Sequence, residues 1–486
     1  MPAPATLLLL AIAIPLAGAL GIALAGSRPN LREAVTLLTA ALLFAAVLAL
    51  LPAVGARPEA NLYEVAPGLA LAFKLEPLGM LFALVASGLW IVNSIYSIGY
   101  MRANKEPRQT GFYVCFAIAL ASTMGIALAK NLFTLFLFYE ALTLSTYPLV
   151  THKQNAEAVR AGRIYLGLLL GTSLVLFLPA IIGTYIIAGT LDFTPGGILG
   201  GKATPLVIGI LLGLFAFGIG KAALMPLHFW LPAAMVAPTP VSALLHAVAV
   251  VKAGVFTILK VATMIFGADA LASLGNSSWP TIVAGTTVLA ASLVALRQDN
   301  LKRLLAYSTV SQLSYIVLGV AILAPISMVG AAMHIAAHAL GKITLFFAAG
   351  SIYTAAHLTE VSELDGIGRR MPWTMGAFAI GALAMIGLPP TAGFLGKWFI
   401  LTGAMQTANW LAVTVIILST LLNAGYFLPI VFRAFFREPP SGGAAHQAGE
   451  APWPIVLALT ATATGTVLLF FAPGIPYELA QLMIGR

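Results

Sequence analysis

The sequence predicts an all-α, polytopic membrane protein of about fourteen transmembrane helices, on three observations. Apolar residues make up 60% of the chain and charged residues only 8%, against roughly 25% charge in a soluble globular domain. Mean hydropathy is +0.98, and a chain so poor in charge could not cover a globular surface in water. Apolar runs recur from end to end, each close to the ~20 residues that a spanning helix needs.

The runs fall near 5–25, 31–53, 77–99, 111–129, 131–150, 163–188, 205–222, 241–264, 279–296, 304–323, 327–354, 373–404, 410–432 and 453–472. The longest connections, 54–76, 189–204, 355–372 and 433–452, leave no room for a soluble domain. The first run lacks the basic flank of a cleaved signal peptide and reads as a retained helix.

The charges test this layout. Alternate connections carry Arg28, Arg32; Arg102, Lys105, Arg108; Lys153, Arg160, Arg163; Arg297, Lys302, Arg303; Arg369, Arg370; and Arg433, Arg437, which is 15 of the 25 basic residues. The opposite side holds only Arg57, Lys74, Lys130, Lys202 and Arg486. Short loops rich in Lys and Arg face the cytoplasm, so both termini are expected on the outer face. The net charge of +9 therefore belongs to membrane loops, not to a basic stripe on a soluble domain, and no nucleic-acid partner is expected.

Composition also limits the chemistry. The single cysteine, Cys115, can form no intramolecular disulfide and cannot supply the four thiolates of an iron–sulfur cluster. Neither a G-x-G-x-x-G fingerprint nor a G-x-x-x-x-G-K-[ST] loop is present. No cofactor and no redox centre are expected in this chain.

Five lysines fall inside apolar spans: Lys221, Lys252, Lys260, Lys342 and Lys397. Glu140 is the one acidic residue read as lying there, and His246, His334 and His338 are intramembrane too, with His228 just past Lys221. A charge at mid-bilayer costs at least ~2.5–3.5 kcal/mol on insertion scales, so such groups face a bundle interior or a wet cavity. Lys260 lies near a span end, where snorkelling is the simpler reading. The other lysines are too deep for that and read as proton carriers. Glu140, among aromatic and apolar neighbours, needs a cationic partner to stay ionised. The residues alone do not name which lysine serves.

Spacing orders the remainder. His334, His338 and Lys342 stand at i, i+4 and i+8, one stripe of a helix, and three titratable groups in line suggest a proton wire. His246 and Lys252 are six apart, on neighbouring faces. Metal binding by two histidines is the rival reading. No nearby carboxylate or cysteine completes a ligand set, so no metal is expected.

Two spans are interrupted, at Gly220–Pro232 and at Gly387–Trp398. Proline removes a backbone donor, which a membrane tolerates only where protein or water satisfies the freed carbonyls. Each break adjoins a buried lysine. Paired breaks in two halves of a chain point to internal repeats and a transport site.

The segments Tyr139-Glu140-Ala141-Leu142-Thr143-Leu144-Ser145-Thr146-Tyr147-Pro148, His228-Phe229-Trp230-Leu231-Pro232 through Ala237-Pro238-Thr239-Pro240-Val241-Ser242-Ala243, and Asp299-Asn300-Leu301-Lys302-Arg303-Leu304-Leu305-Ala306-Tyr307-Ser308 resemble the antiporter-like subunits of respiratory complex I. They equally resemble the A-type and D-type subunits of Mrp-type multisubunit cation/proton antiporters. The resemblance covers nearly the whole chain. It implies helices 1–3 in 1–110, two inverted five-helix repeats in 111–264 (helices 4–8) and 279–432 (helices 9–13), and helix 14 in 453–486.

It also implies roles. Glu140 and Lys221 match the helix-five glutamate and broken-helix-seven lysine, which would form a paired switch. His246 and Lys252 match helix eight, and His338 and Lys342 match helix eleven, where His334 joins them by spacing. Lys397 matches the broken-helix-twelve exit group, lysine in some members and glutamate in others. The chain ends soon after its fourteenth span, without the long lateral helix of the distal complex I subunit or the extended carboxy-terminal part of the A-type Mrp subunit. Its length fits the D-type Mrp subunit. The expected protein is a proton-translocating subunit in a bacterial or archaeal inner membrane, working with other membrane subunits and exchanging protons against a cation such as Na+. The alternative is the pumping subunit of a complex I-like oxidoreductase or membrane-bound hydrogenase, with the redox chemistry in other chains. A free-standing solute permease fits less well, because the buried groups form a series and not one pocket.

Overall fold

Fourteen membrane-crossing elements build the protein, in a computed structural model that describes residues 2–66, 69–272, 274, 279–438 and 449–485. They are α1 (Pro4–Leu24), α2 (Pro29–Leu50), α3 (Pro77–Ala103), α4 (Gln109–Ala127), α5 (Leu132–Val150), α6 (Ala156–Ala188) and α7, which runs Pro205–Gly218 and resumes at Trp230–Ala233. There follow α8 (Thr239–Phe266), α9 (Trp279–Ala295), α10 (Leu301–Ala321), α11 (Pro325–Ala356), α12 in two halves (Pro372–Ile386 and Ala392–Gln406), α13 (Trp410–Phe436) and α14 (Trp453–Phe471). Among the described residues 11 helices are long and apolar enough to cross a membrane. The shorter apolar helices Pro205–Gly218, Trp279–Ala295 and Pro372–Ile386 complete the expected fourteen.

The helix starts follow local chemistry. Asn131, Asn155, Asn300 and Asn409 each accept a backbone N–H three residues on and so cap α5, α6, α10 and α13. Proline opens α1, α2, α3, α7, α11, α12 and α14, where its missing donor costs nothing. Three stretches wind more widely, with i→i+5 bonding: Ser173–Phe177 in α6, and Leu244–Val248 and Ala262–Phe266 in α8. Such bulges recur at functional sites, and one of these holds His246.

Burial separates centre from rim. The most apolar windows of α8 and α11 are each 94% buried and that of α10 is 89%, whereas those of α6 and α14 are 33%. A helix that is apolar all round and buried belongs to the middle of a bundle. Two of these central helices, α8 and α11, carry His246, Lys252, His334, His338 and Lys342, and α10 packs against both.

Sequence and structure differ in four places. The 54–76 connection holds an antiparallel hairpin, β1 (Glu59–Ala66) with β2 (Leu69–Lys74). Its second strand is too short to stand out by periodicity, and is held by Thr134 and Asn131 of α5. Glu59 at its base pairs with Lys74 and Lys130 at 2.8 and 2.7 Å. The sixth span begins at Ala156, earlier than 163, because Asn155 caps it. The 453–486 stretch is two helices, since Pro473 ends the α14 run and α15 (Gly474–Met483) follows.

The fourth difference concerns Lys260. It does not snorkel. Its Nζ lies 2.8 Å from Glu76 Oε2 with both side chains buried, and it also donates to Ala129 O at 2.7 Å. Glu140 is therefore not the only carboxylate shut away from solvent. Glu76 precedes α3 and falls just outside its apolar run, which hid it.

This pair yields a stability prediction. Removing one member of a buried ion pair strands the other and costs about 3–5 kcal/mol, whereas replacing both with apolar groups is often neutral. Glu76→Leu should markedly lower the thermal unfolding midpoint of the detergent-purified protein. Glu76→Leu with Lys260→Met should recover most of it. A double variant no better than the single one would show that the pair is not the interaction that matters.

Candidate functional site: a line of buried ionisable groups

The α12 break is closed by its own lysine. Gly387, at φ +89°, turns the chain out of the first half-helix, a conformation that glycine adopts without Cβ strain. Lys397, from the second half, reaches back and donates to Met385 O at 2.6 Å and Ile386 O at 3.1 Å. These are carbonyls that the end of a helix leaves unpaired. The two halves touch so closely at Gly393 that an added Cβ would lie 1.8 Å from Ala384 O. The α7 break is closed differently: Trp230 Nε1 donates to Gly220 O at 3.0 Å.

Gln312 of α10 joins the α12 break to the histidines. Its amide nitrogen donates to Met385 O at 3.0 Å and to Asn423 Oδ1 at 3.3 Å, and its Oε1 meets His334 Nε2 at 3.0 Å. Met385 O can only accept, so the amide oxygen must face the histidine. His334 therefore donates from Nε2 and leaves Nδ1 without a protein partner. Tyr315, one turn further along α10, underlies both neighbours: its ring is 6.0 Å from that of His334 and 4.5 Å from Lys397 Nζ.

The other rungs of α10 continue the pattern. Ser308 Oγ accepts from Lys342 Nζ at 2.9 Å and pairs with Tyr426 OH at 3.1 Å. Tyr426 in turn bonds Asn423 Oδ1, which closes a loop back to Gln312. Thr309 donates to Leu305 O at 2.8 Å and meets His246 Nδ1 at 3.0 Å. With the hydroxyl hydrogen already used, His246 must donate from Nδ1, and its Nε2 has no protein partner. Lys342 also approaches Leu305 O at 3.5 Å. Positions 305, 308–309, 312 and 315 recur every three to four residues on one face of α10, and each touches a member of the series.

Lys252 bonds His338 Nδ1 directly, and His338 Nε2 has no protein partner. The His334 and His338 rings stand 6.1 Å apart. Each of the three histidines thus has one nitrogen engaged and one free, the arrangement a proton relay needs. Six of the eight expected residues, His246, Lys252, His334, His338, Lys342 and Lys397, lie in this one assembly.

Glu140 and Lys221 lie apart from it. Lys221 Nζ donates to Tyr139 O at 2.9 Å and Thr143 Oγ1 at 2.5 Å, above the Tyr139 ring at 3.3 Å. Both partners flank Glu140 on α5, and Lys221 bears on Glu140 electrostatically. Neither Glu140 oxygen has a hydrogen-bond partner of ordinary geometry. No direct hydrogen bond among the described residues joins Lys221 to His246 or Lys252. The backbones do meet: a Cβ on Gly254 of α8 would lie 2.3 Å from Lys221 C. Among the described residues no group of three or more His, Cys, Asp or Glu could hold a metal ion.

Residues 129–423 match the family described as NADH:quinone oxidoreductase/Mrp antiporter, TM, a stretch that contains all eight expected site residues. The chain belongs to this family. It is 35% identical to NADH-quinone oxidoreductase subunit N of Desulforudis audaxviator over 378 residues, covering 76% of this chain and 74% of that one. It is 32% identical to hydrogenase-4 component B of Escherichia coli, over 82% of this chain and 62% of that one. It is 31% identical to a probable K(+)/H(+) antiporter A/B subunit of Rhizobium meliloti, over 77% of this chain but only 37% of that longer protein. Its fold is that of a chain in the Mrp complex from Dietzia sp. DQ12-45-1b, with a TM-score of 0.87 at 22% identity, covering 100% of this chain and 97% of that one. A chain of an archaeal membrane-bound sulfane sulfur reductase fits with a TM-score of 0.86 at 24% identity, over 98% and 97%.

Sequence reading missed Gln312, Ser308, Thr309, Asn423 and Tyr426, because neutral side chains raise no alarm in an apolar span. Their signal was the three-to-four-residue recurrence of Ser308, Thr309, Gln312 and Tyr315. Gln312→Leu removes three hydrogen bonds and leaves buried partners unsatisfied, at about 1–3 kcal/mol each. Proton flux through the assembled complex should fall at least ~10-fold, the equivalent of about 1.4 kcal/mol. Gln312→Glu, which still accepts from His334, should retain more. Equal flux in wild type and Gln312→Leu would remove Gln312 from the site.

Proposed function

We propose that this chain is the proton-translocating membrane subunit of a multisubunit Na+/H+ antiporter of the Mrp type, nearest to the D-type subunit. Protons would move along Glu140, Lys221, His246, Lys252, His334, His338, Lys342 and Lys397. The observation that carries this reading is the assembly around α10, in which three lysines and three histidines on α8, α11 and α12 are bonded to neutral acceptors or to one another. A lysine so placed can lose its proton without stranding a buried anion.

In this reading 111–264 and 279–432 are the two inverted repeats, each with one broken helix and one lysine at the break. Glu140 and Lys221 form the switch, and Lys397 releases protons toward the outer face, where both termini lie. The partners are other membrane subunits in a bacterial or archaeal inner membrane. The second reading, a pumping subunit of a complex I-like or hydrogenase assembly, is favoured by the identities to NADH-quinone oxidoreductase subunit N and hydrogenase-4 component B. The proton step is common to both. Subunits that co-purify from native membranes separate them: further antiporter subunits in one case, redox subunits in the other.

Two outcomes follow for pH-gradient dissipation in everted vesicles that hold the assembled complex. Lys397→Arg keeps the charge and most of the volume, but arginine stays protonated at any working pH. Assembly should survive and flux should fail. Full activity would show that only a fixed charge is needed there. Glu140→Ala and Lys221→Ala should each abolish flux, and the double variant should lose no more than either single one. Losses that multiply would mean that the two residues act independently.

A further inference from the structure

The α10 stripe has one more rung, and it opens on a cavity. Lys302 stands one turn before Leu305 on the same face. Its Nζ donates to Ala237 O at 2.5 Å, at the entrance to α8. Lys302 and Ala237 line a cavity of about 300 Å³, walled also by Lys153, Glu157, Asn300 and Tyr353. A neighbouring hollow of about 470 Å³ shares Glu157 and Asn300 with it. Either volume has room for several waters. The walls come from the α5–α6 and α9–α10 connections, the start of α8 and the end of α11, all on the face that carries most of the basic loops.

The titratable groups around Lys302 are set out as a funnel. Glu106 lies close enough to Lys302 and Lys153 to interact with both. Burial pushes the Glu106 carboxyl up, although those two lysines oppose it. His152 Nε2 is 3.6 Å from Glu106 Oε2. On the inner side, His246 feels Lys302 electrostatically along with Lys342 and Lys252. From Lys302 to Thr309, which holds His246, is seven residues, about 10 Å along the helix axis at ~1.5 Å per residue.

We infer that Lys302 is the loading residue of this assembly: it takes protons from the vestibule on the basic-loop face and passes them inward to His246 and Lys342. This rests on the reading of the chain as a proton-translocating subunit. Neither the buried-residue pattern nor any match assigns Lys302 a part, because at the first turn of α10 it counts as one more loop cation. Its geometry differs from that of Arg303 next to it, which is exposed.

The test uses the assembled complex in everted vesicles, with Cys115 replaced by Ala so that no native thiol remains in this chain. Lys302→Cys should reduce flux at least ~10-fold and leave assembly intact. 2-Bromoethylamine added from the basic-loop side should then alkylate the thiol, rebuild an ammonium of nearly lysine length and restore most of the flux. The loss should deepen as pH rises on that side, where loading is limiting. Arg303→Cys should be active throughout. Wild-type flux in Lys302→Cys, or a loss that bromoethylamine does not reverse, overturns the assignment. Lys342→Ala is the companion measurement. If it abolishes flux while Lys302→Cys does not, only the loading role fails. If neither changes flux, the proton-translocating reading itself fails.

Discussion

An ammonium group in the bilayer interior needs acceptors at hand, and the fold is arranged to supply them. Each buried lysine finds a different set. Lys397 takes two carbonyls released by the α12 break, and Lys221 takes a carbonyl and a hydroxyl from α5. Lys342 takes a serine hydroxyl, Lys252 a histidine and Lys260 a carboxylate. A freed carbonyl and a bare ammonium are each costly in hydrocarbon. Together at α12 they satisfy one another, so the broken helix and its lysine are best regarded as one structural unit.

The kind of acceptor separates static groups from mobile ones. Lys260 faces Glu76, and a proton leaving that lysine would abandon a buried carboxylate. Lys342, Lys397 and Lys252 face neutral partners, so charge can depart without a penalty of that sort. Helix α10 provides the partners of Lys342, His246 and His334, namely Ser308, Thr309 and Gln312, although it carries no charge between Arg303 and its end. It acts as a ruler, presenting a hydroxyl, an amide or a ring every three to four residues to the charged helices on either side.

The sequence discloses the membrane class, the fourteen spans and the eight ionisable residues set within them, because charge in an apolar run is conspicuous. It does not disclose the acceptors. Ser308, Thr309, Gln312 and Asn423 are ordinary in composition and become legible only when their spacing on one helix face is set against the lysines of another. Glu76 escaped for a different reason: it stands one residue before Pro77, so any rule that trims a span at its proline leaves it in the loop. The hairpin escaped because its strands pair with each other and with α5, a tertiary fact that six residues of β2 cannot encode alone.

The separation of Glu140 and Lys221 from the other six residues is a consequence of how α8 packs. Gly254 brings the α8 backbone against Lys221 so closely that a Cβ there would lie 2.3 Å from Lys221 C and from Ala222 N, which only glycine permits. The backbone of Lys221 is further pinned by its own N–H, which donates to Tyr139 OH at 3.1 Å. The side chain ends on α5 beside Glu140, where its ammonium donates to Tyr139 O and Thr143 Oγ1. Glu140 and Lys221 thus form a local cluster on α5 and the α7 break, with no direct hydrogen bond among the described residues to His246 or Lys252.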